Sequence, residues 1–336
     1  MVPRVEHLEG PVVPDAHGFD QGIVAPVPAH HAIPCQRCQV AFPPGSRSGV
    51  LPSRLQRMVL ALVTTVATAR LARFPQSASG AIPLARLDDI IAFADARLAI
   101  GDFDDHGPNG LQIPGAADVA TVVTGVSAHL ALLEAAAAEG AQLVIAHHGL
   151  LWDAAPRRLT RAAAARLRAL LAEDIGLAMY HLPLDAHPEI GNNALLADGL
   201  GAARHEPFAP HRGRPIGRVA HFDGDGIPAT ELFERVAALT GREPLAFDTG
   251  PARVHTLGLV SGAAAGSLDD AIALGLDAFL TGEPAERAMA DAREAGIHFI
   301  AAGHYATETF GIRRLGDEIA ARFGVRHRFL DFPNPV

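Results

Sequence analysis

Hydrophobic positions follow two periods that alternate along the chain from Pro83 onward. In PLARLDDIIAFADARLAI (83–100) the apolar residues have helical spacing, which predicts a helix whose buried face carries Leu87, Ile90, Ile91, Ala94 and Leu98. Short apolar runs such as VATVVTGV, AQLVIA and IHFIAAG are typical of buried strands. The alternation predicts an α/β fold with mixed, largely parallel sheets, and ligand sites in such sheets collect at the carboxyl ends of strands.

A weak internal repeat relates two parts of this α/β region. The segments GVSAHLALLEAAAAEGAQLVIAHHG and LVSGAAAGSLDDAIALGLDAFLTGE each lead from Val-Ser through a helix ending in Gly to a strand. Gly140 precedes His147 by seven residues, as Gly275 precedes Gly282. We therefore predict a pseudo-twofold internal repeat, in which the ends of two equivalent strands face each other across one crevice.

Residues 1–82 have a different composition from the rest of the chain. Nine of the 25 prolines precede Met58 and there is little periodicity, which predicts a low-complexity, disordered extension before a domain at 83–336. The apolar run MVLALVTTVATA (58–69) is too short for a membrane span. It is compatible with part of a signal, part of a transit peptide, or a start codon placed too early, and we favour the last.

Charge and cysteine content narrow the classes of function. Residues 1–20 carry a net charge of −3 and residues 21–87 carry +7, so the total of −9 leaves −13 for residues 88–336. An acidic body of this kind makes nucleic-acid binding an unfavourable interpretation. Cys35 and Cys38 form a lone CxxC pair, without a second pair or a histidine at zinc-finger spacing, and we interpret it as coincidence. Two cysteines provide no disulfide framework, which favours the cytoplasm.

Histidines and carboxylates follow several of the predicted strands. They are His147 and His148 after AQLVIA, His181 and Asp185 in YHLPLD, Glu283 in TGE, and His304 and Glu308 in GHYATE. His304 and Glu308 are four residues apart at a helix start and so lie on the same face. Adjacent strand residues diverge, so His147 and His148 suit two neighbouring ions, which need a bridging carboxylate. Nitrogen and oxygen ligands of this kind suit zinc, iron, manganese, cobalt or nickel.

Several motifs in the same order resemble one known family. NGLQIPG, TGVSAHLALLEAA, VIAHHGLLW, HLPLDAHPEIGNNALLA, DAFLTGEPAE and AAGHYATETFGIRRL are similar to the NIF-three-like proteins, dinuclear metal center hexameric proteins also known as GTP cyclohydrolase I type 2 homologues. The likeness runs from about Pro83 to the end of the sequence and is closest to the short bacterial branch. It implies a two-lobed α/β/α fold, a toroidal homohexamer and two divalent metal ions per subunit.

The resemblance also implies roles for individual residues. The family's metal ligands fall on His147, His148, Asp185, His304 and Glu308, with Glu308 bridging the ions. His181 and Glu283 then remain as unligated neighbours, which we predict to be catalytic through proton transfer or through orientation of a ligand.

Five protein ligands for two ions leave open coordination positions, which is typical of a catalytic site. We therefore predict a metal-dependent hydrolase acting on a nucleotide-like or phosphorylated small molecule, with GTP ring opening as one case. Asn109, Gln112 and Asn192 are the predicted polar contacts for substrate. The alternative is a non-catalytic, metal-binding hexameric scaffold or a regulatory partner of other proteins.

Overall fold

A computed structural model describes residues 84–156 and 158–336. The predictions for the first 82 residues, including those for Cys35, Cys38 and the apolar run at 58–69, lie outside the described residues. No helix in the described ranges has the length and apolar character needed to cross a membrane.

Strands and helices alternate through most of the described chain. The strands are β1 (Ala85–Arg86), β2 (Gly110–Ile113), β3 (Asp118–Val119), β4 (Thr121–Ser127), β5 (Leu143–His148), β6 (Gly176–Met179), β7 (Arg204–His211), β8 (Arg214–His221), β9 (Ile227–Pro228), β10 (Leu245–Phe247), β11 (Arg253–Val254), β12 (Thr256–Val260), β13 (Ala278–Thr281), β14 (His298–Ala301) and β15 (Arg326–Phe329). The helices are α1 (Leu87–Leu98), α2 (Leu130–Ala138), α3 (Arg161–Leu171), α4 (Leu182–Ala186), α5 (Asn192–Gly199), α6 (Ala229–Thr240), α7 (Leu268–Ala273), α8 (Ala288–Ala295), α9 (His304–Thr307) and α10 (Thr309–Phe323).

Two larger sheets form the framework of the fold. The first has the order β15-β4-β5-β6-β2, with parallel pairing except between β6 and β2. The second has the order β10-β14-β13-β12-β8-β7, in which β12, β13 and β14 are parallel and the outer pairings are antiparallel. Each sheet therefore contains three consecutive parallel strands joined by helices, which confirms a mixed α/β fold. The pseudo-twofold relation between them stays a prediction.

Helices cover both faces of each sheet. Successive residues of β4 enter different cores: Val122 packs with α1 and α10, whereas Val123 packs with α2 and α3. The second sheet lies in the same way between α5 and α6 on one face and α7 and α8 on the other. Because these strands are buried on both faces, their sequences are continuous apolar runs. The predicted apolar face of α1 is buried at all of its five positions.

The expectation of largely parallel sheets is wrong at the sheet margins. Among the described residues, the hairpin β7–β8 contributes a long antiparallel pairing from a stretch rich in Pro and Gly. Its two-residue turn, Arg212-Gly213, has positive φ at both positions, as hairpin turns of this length require. Prolines interrupt the apolar alternation of β7, and an edge strand tolerates them because its outer N–H groups need no partner.

The helix expected to start at His304 is divided in the structure. It breaks at Glu308, whose backbone leaves helical geometry at φ −113° and ψ 10°, so α9 ends before it and α10 begins after it. The break is positioned between β14 and the long helix, at the point where a carboxylate side chain can reach the ends of both sheets.

Candidate metal centre

Histidine and carboxylate side chains converge around Glu308. One oxygen of its carboxylate, Oε1, lies 3.5 Å from His147 Nε2. The other, Oε2, lies 3.2 Å from His148 Nε2 and 3.1 Å from His304 Nε2. Asp185 Oδ2 also lies 3.5 Å from His147 Nε2. The five residues predicted as ligands are therefore brought to one place.

The framework explains why these side chains meet. His147 and His148 end β5, and their rings lie only 4.7 Å apart, because both lean toward Glu308 instead of diverging fully. His304 begins α9 directly after β14. The approach of the chain at Gly262 is equally specific: its φ is +67°, and a Cβ there would overlap Glu308 Oε1 and lie 3.3 Å from His304 Nε2. Only glycine fits this position without moving a predicted ligand.

A second set of groups holds each predicted ligand by its other polar atom. His147 Nδ1 donates to the backbone oxygen of Tyr180 at 2.8 Å, and His148 Nδ1 hydrogen-bonds with Ser127 Oγ at 3.0 Å. His304 Nδ1 contacts the carboxylate of Glu283. Each imidazole therefore turns Nε2 toward the common centre. Metal-binding histidines are commonly held in this way.

Asp185 is held by the second sheet. Its Oδ1 accepts hydrogen bonds from Asn192 Nδ2 at 2.8 Å and from Ser261 Oγ at 2.9 Å. Oδ2 is left to face His147. Since Ser261 directly follows β12, while His147 ends β5, the cluster joins the carboxyl ends of strands from both sheets.

Burial and neighbouring charges shift the pKa values of the residues in the cluster. Burial alone would raise the pKa of Glu308, but the neighbouring imidazoles His147 and His148 hold it well below its usual range. Burial opposes a charge on His147, yet Asp185 and Glu308 raise its pKa to about 9. The pKa of His304 also rises to about 9, against burial, through its two carboxylate neighbours. Burial dominates at His148 and lowers its pKa to about 3. Perturbations of this size are typical of functional sites.

The residues present fit a divalent metal ion. His147 Nε2 and Glu308 Oε2 are buried without a hydrogen-bond partner among the residues that the structure describes. Ligand atoms lie within 4.8 Å of one another in the groups His147, Asp185 and Glu308, and His148, His304 and Glu308. Buried polar atoms normally find a partner, and a metal ion would provide it.

The two predicted catalytic residues occupy different positions. His181 lines a cavity of about 390 Å³ beside the cluster, and its ring centre lies 5.1 Å from that of His147. Glu283 does not line this cavity and instead orients His304. The opposite wall of the cavity comes from the hairpin, through residues that include Pro210 and His211. Its volume is within the usual range for small-molecule sites.

The three predicted substrate contacts have hydrogen-bond partners within the protein. Asn192 is fully buried, and its Oδ1 accepts from the backbone N–H of Gly311 while its Nδ2 donates to Asp185. The buried Gln112 holds the backbone of Leu150 and Leu151. Both ends of the Asn109 amide are also used within the protein, and none of the three lines the 390 Å³ cavity. In this structure their polar groups support the site, and contact with substrate stays a prediction.

Comparison with known proteins identifies the family. The model of the Duf34/NIF3 family (NGG1p interacting factor 3) matches residues 85–335. The chain belongs to the NIF3 family. This confirms the resemblance carried by the sequence motifs.

Relatives that are matched over nearly their whole length support the assignment. A Pseudomonas aeruginosa protein named GTP cyclohydrolase 1 type 2 homolog is 42% identical over 250 residues, covering 74% of this chain and 98% of the relative. A Deinococcus radiodurans protein of the same name is 38% identical over 259 residues, covering 77% and 97%. The solved structure of protein ybgI, of unknown function, has a TM-score of 0.71 and 39% identity, covering 75% of this NIF3 chain and all of ybgI.

Proposed function

We propose that this NIF3 protein is a hydrolase that uses two divalent metal ions to act on a phosphorylated or nucleotide-like small molecule. The observation that carries the proposal is the position of Glu308, whose two carboxylate oxygens face different imidazoles at the wall of a cavity of about 390 Å³. One carboxylate shared between two groups of ligand atoms is the arrangement that a bridged pair of ions needs.

The two groups divide the residues between the ions. His147, Asp185 and Glu308 would hold one ion, and His148, His304 and Glu308 the other. Zinc, iron, manganese, cobalt and nickel all accept this combination of imidazole and carboxylate. When bound, the metal pair would supply Lewis-acid chemistry and lower the pKa of a coordinated water.

The protein's own residues would transfer the proton and orient a metal ligand. His181 lines the cavity, and there it would take a proton from the attacking water and return it to the leaving group. Glu283 fixes the ring of His304. The curated relatives carry the name GTP cyclohydrolase 1 type 2 homolog, so GTP belongs among the nucleotides to test.

Metal content and activity measured on the full chain test the proposal. We expect about two transition-metal ions per subunit in the parent protein and a marked loss in a His147→Ala/His304→Ala double variant. His255→Ala, at an exposed histidine outside the cluster, is the matched control. The parent should hydrolyse at least one of bis(p-nitrophenyl) phosphate, cyclic nucleotides and GTP. Metal-loaded protein that leaves all of them unaltered would contradict the hydrolase function.

The alternative, a non-catalytic scaffold, has one observation in its favour. The predicted ligands come from the ends of both sheets, so a bound metal would tie the two sheets together. If the metals serve assembly, Glu308→Gln should make the proposed homohexamer dissociate into smaller species. If they serve catalysis, His181→Ala should abolish hydrolysis and leave the mass in solution unchanged.

A further inference from the structure

A buried carboxylate outside the predicted ligand set contacts His181. Asp105 lies in the loop before β2, and its Oδ1 is 2.7 Å from His181 Nδ1. The loop is fixed from the other sheet, because Arg212 at the hairpin tip donates to the backbone oxygen of Asp105 at 3.2 Å and to the carboxylate of Asp104 at 3.0 Å. The contact therefore belongs to a braced part of the cavity wall.

All four groups around Asp105 are placed to donate to it. Its Oδ1 accepts from the His106 backbone N–H at 2.7 Å and faces His181, and its Oδ2 accepts from Asn109 Nδ2 at 2.8 Å and from the Leu182 backbone N–H at 3.0 Å. The Asn109 amide cannot be turned round, because its Oδ1 accepts from the His181 backbone N–H at 2.8 Å. Four donors match the four acceptor positions of an ionised carboxylate.

The charge on Asp105 agrees with this arrangement. Burial opposes the charge, but the hydrogen bond from His181 and the others hold the pKa of Asp105 below its usual range. A carboxylate that only accepts requires His181 to carry its hydrogen on Nδ1. The Nε2 atom of a neutral His181 is then an acceptor, on a ring that lines the cavity.

The His181 ring is also confined by its neighbours. Trp152 packs edge-on against it with ring centres 5.3 Å apart, and the His148 ring lies 5.5 Å away on the side of the metal cluster. Rotation about the side chain would break the bond to Asp105 and meet these rings. One hydrogen bond thus sets both the orientation and the tautomer.

We propose that Asp105 is a positioning residue, which holds His181 with hydrogen on Nδ1 and directs the Nε2 lone pair into the cavity as the proton acceptor for hydrolysis. The role of Nε2 in accepting a proton during hydrolysis rests on the proposed function. The tautomer of His181 does not. The carboxylate itself stays ionised throughout and exchanges no proton with substrate.

Asp105→Asn tests the proposal because the surrounding donors dictate how the new amide must lie. With its NH₂ at the Oδ2 position it would face two donors, Asn109 Nδ2 and the Leu182 N–H. With its NH₂ at the Oδ1 position it faces one backbone donor and His181, which can relieve the conflict by accepting at Nδ1. The second orientation is the better one, and it moves the His181 hydrogen to Nε2.

The experiment is ring ¹⁵N NMR of the full chain, labelled at histidine and loaded with diamagnetic Zn²⁺, with the His181 signals identified by their loss in His181→Gln. We expect the Nδ1–H tautomer in the parent, the Nε2–H tautomer in Asp105→Asn, and an unchanged tautomer in the control Asp223→Asn, which makes the same chemical change at an exposed aspartate away from the cavity. Zinc content should be equal in all three.

Hydrolysis of bis(p-nitrophenyl) phosphate supplies the second readout. We expect kcat to fall about 10²- to 10⁴-fold in Asp105→Asn with little change in KM, because proton transfer is lost and substrate binding is not. An Nε2–H tautomer in the parent, or an unchanged tautomer in Asp105→Asn, would overturn the proposal. If Asp105→Asn does not fold, the parent tautomer still decides. A parent without activity but with the expected tautomers would refute the hydrolase function alone.

Discussion

Gly262→Ala is a one-carbon change that, beside a matched glycine variant, separates backbone strain from damage to the candidate metal centre. Gly262 has φ +67°, and the added methyl group would lie inside contact distance of Glu308 Oε1. The carboxylate would have to move by about 1 Å to restore van der Waals contact. Ligand distances in metal sites hold within about 0.2 Å, so this movement should remove the shared ligand. We expect Gly262→Ala to lose metal binding.

Gly275→Ala is the matched control. Gly275 also has φ +67°, but a Cβ there meets nothing within 4 Å. An alanine at left-handed φ costs about 1–2 kcal/mol, partly offset by about 0.4–1 kcal/mol from the restricted unfolded chain. A net cost of about 1 kcal/mol lowers the Tm of a domain of this size by about 2–4 °C. Metal-free Gly275→Ala should show this loss, and metal-free Gly262→Ala should show a larger one, because its methyl group also displaces the buried Glu308 carboxylate.

The decisive measurement is the gain in Tm on adding metal. At a free metal concentration 100 times its Kd, one ion stabilises the folded state by about 2.7 kcal/mol, which is about 5–10 °C here. The parent and Gly275→Ala should show this gain, and Gly262→Ala should not. Elemental analysis should agree. Equal metal content and equal gains in the two glycine variants would refute the assignment of Glu308 as the shared ligand.

Four further outcomes follow from the contacts and charges of the cluster. Glu283→Gln should weaken metal binding about 10- to 100-fold, because His304 loses the carboxylate that orients it. Glu286→Gln, at an exposed neighbour, should leave metal affinity unchanged. Competition with a coloured chelator measures both affinities. Metal affinity should rise from about pH 6.5 to about pH 9, because His147 and His304 have raised pKa values and must release protons to bind metal. A metal affinity that calorimetry finds independent of pH over this range would contradict this. In the metal-free protein, the stability that these two histidines contribute is complete below their unfolded pKa of 6.5 and is lost as the pH rises through about 9. Asn192→Ala should cost about 1–3 kcal/mol in urea unfolding, because the Gly311 N–H loses its partner and the buried Asp185 carboxylate loses one of the two donors to Oδ1.

The strand-end residues were accessible to sequence reasoning because parallel strands place their carboxyl ends at one edge of a sheet. The apolar runs before His147 and His304 identify those strands, and the structure brings both histidines to Glu308. That they bind metal stays a prediction. The hexamer also stays a prediction, because an interface between subunits has no periodic signature in the sequence.

Asp105 had no comparable signal. No apolar strand precedes it, and its partner His181 lies 76 residues further along the chain, in a different loop. The same limit applies to Asn109 and Asn192, which look like free polar groups in the sequence and are committed to hydrogen bonds in the fold. Contacts of this kind depend on how two loops meet, which local pattern does not encode.

The metal-free cluster lowers the stability of the folded protein. Two buried carboxylates, Asp185 and Glu308, lie against three imidazoles, and two of the buried polar atoms have no hydrogen-bond partner among the described residues. Apolar residues of similar volume would stabilise this region more. The surrounding bonds from Tyr180, Ser261 and Asn192 nevertheless hold the groups in place with their lone pairs directed at a common point. A fold that spends stability on such preorganisation, beside a cavity of about 390 Å³, is arranged for ligand binding at that point.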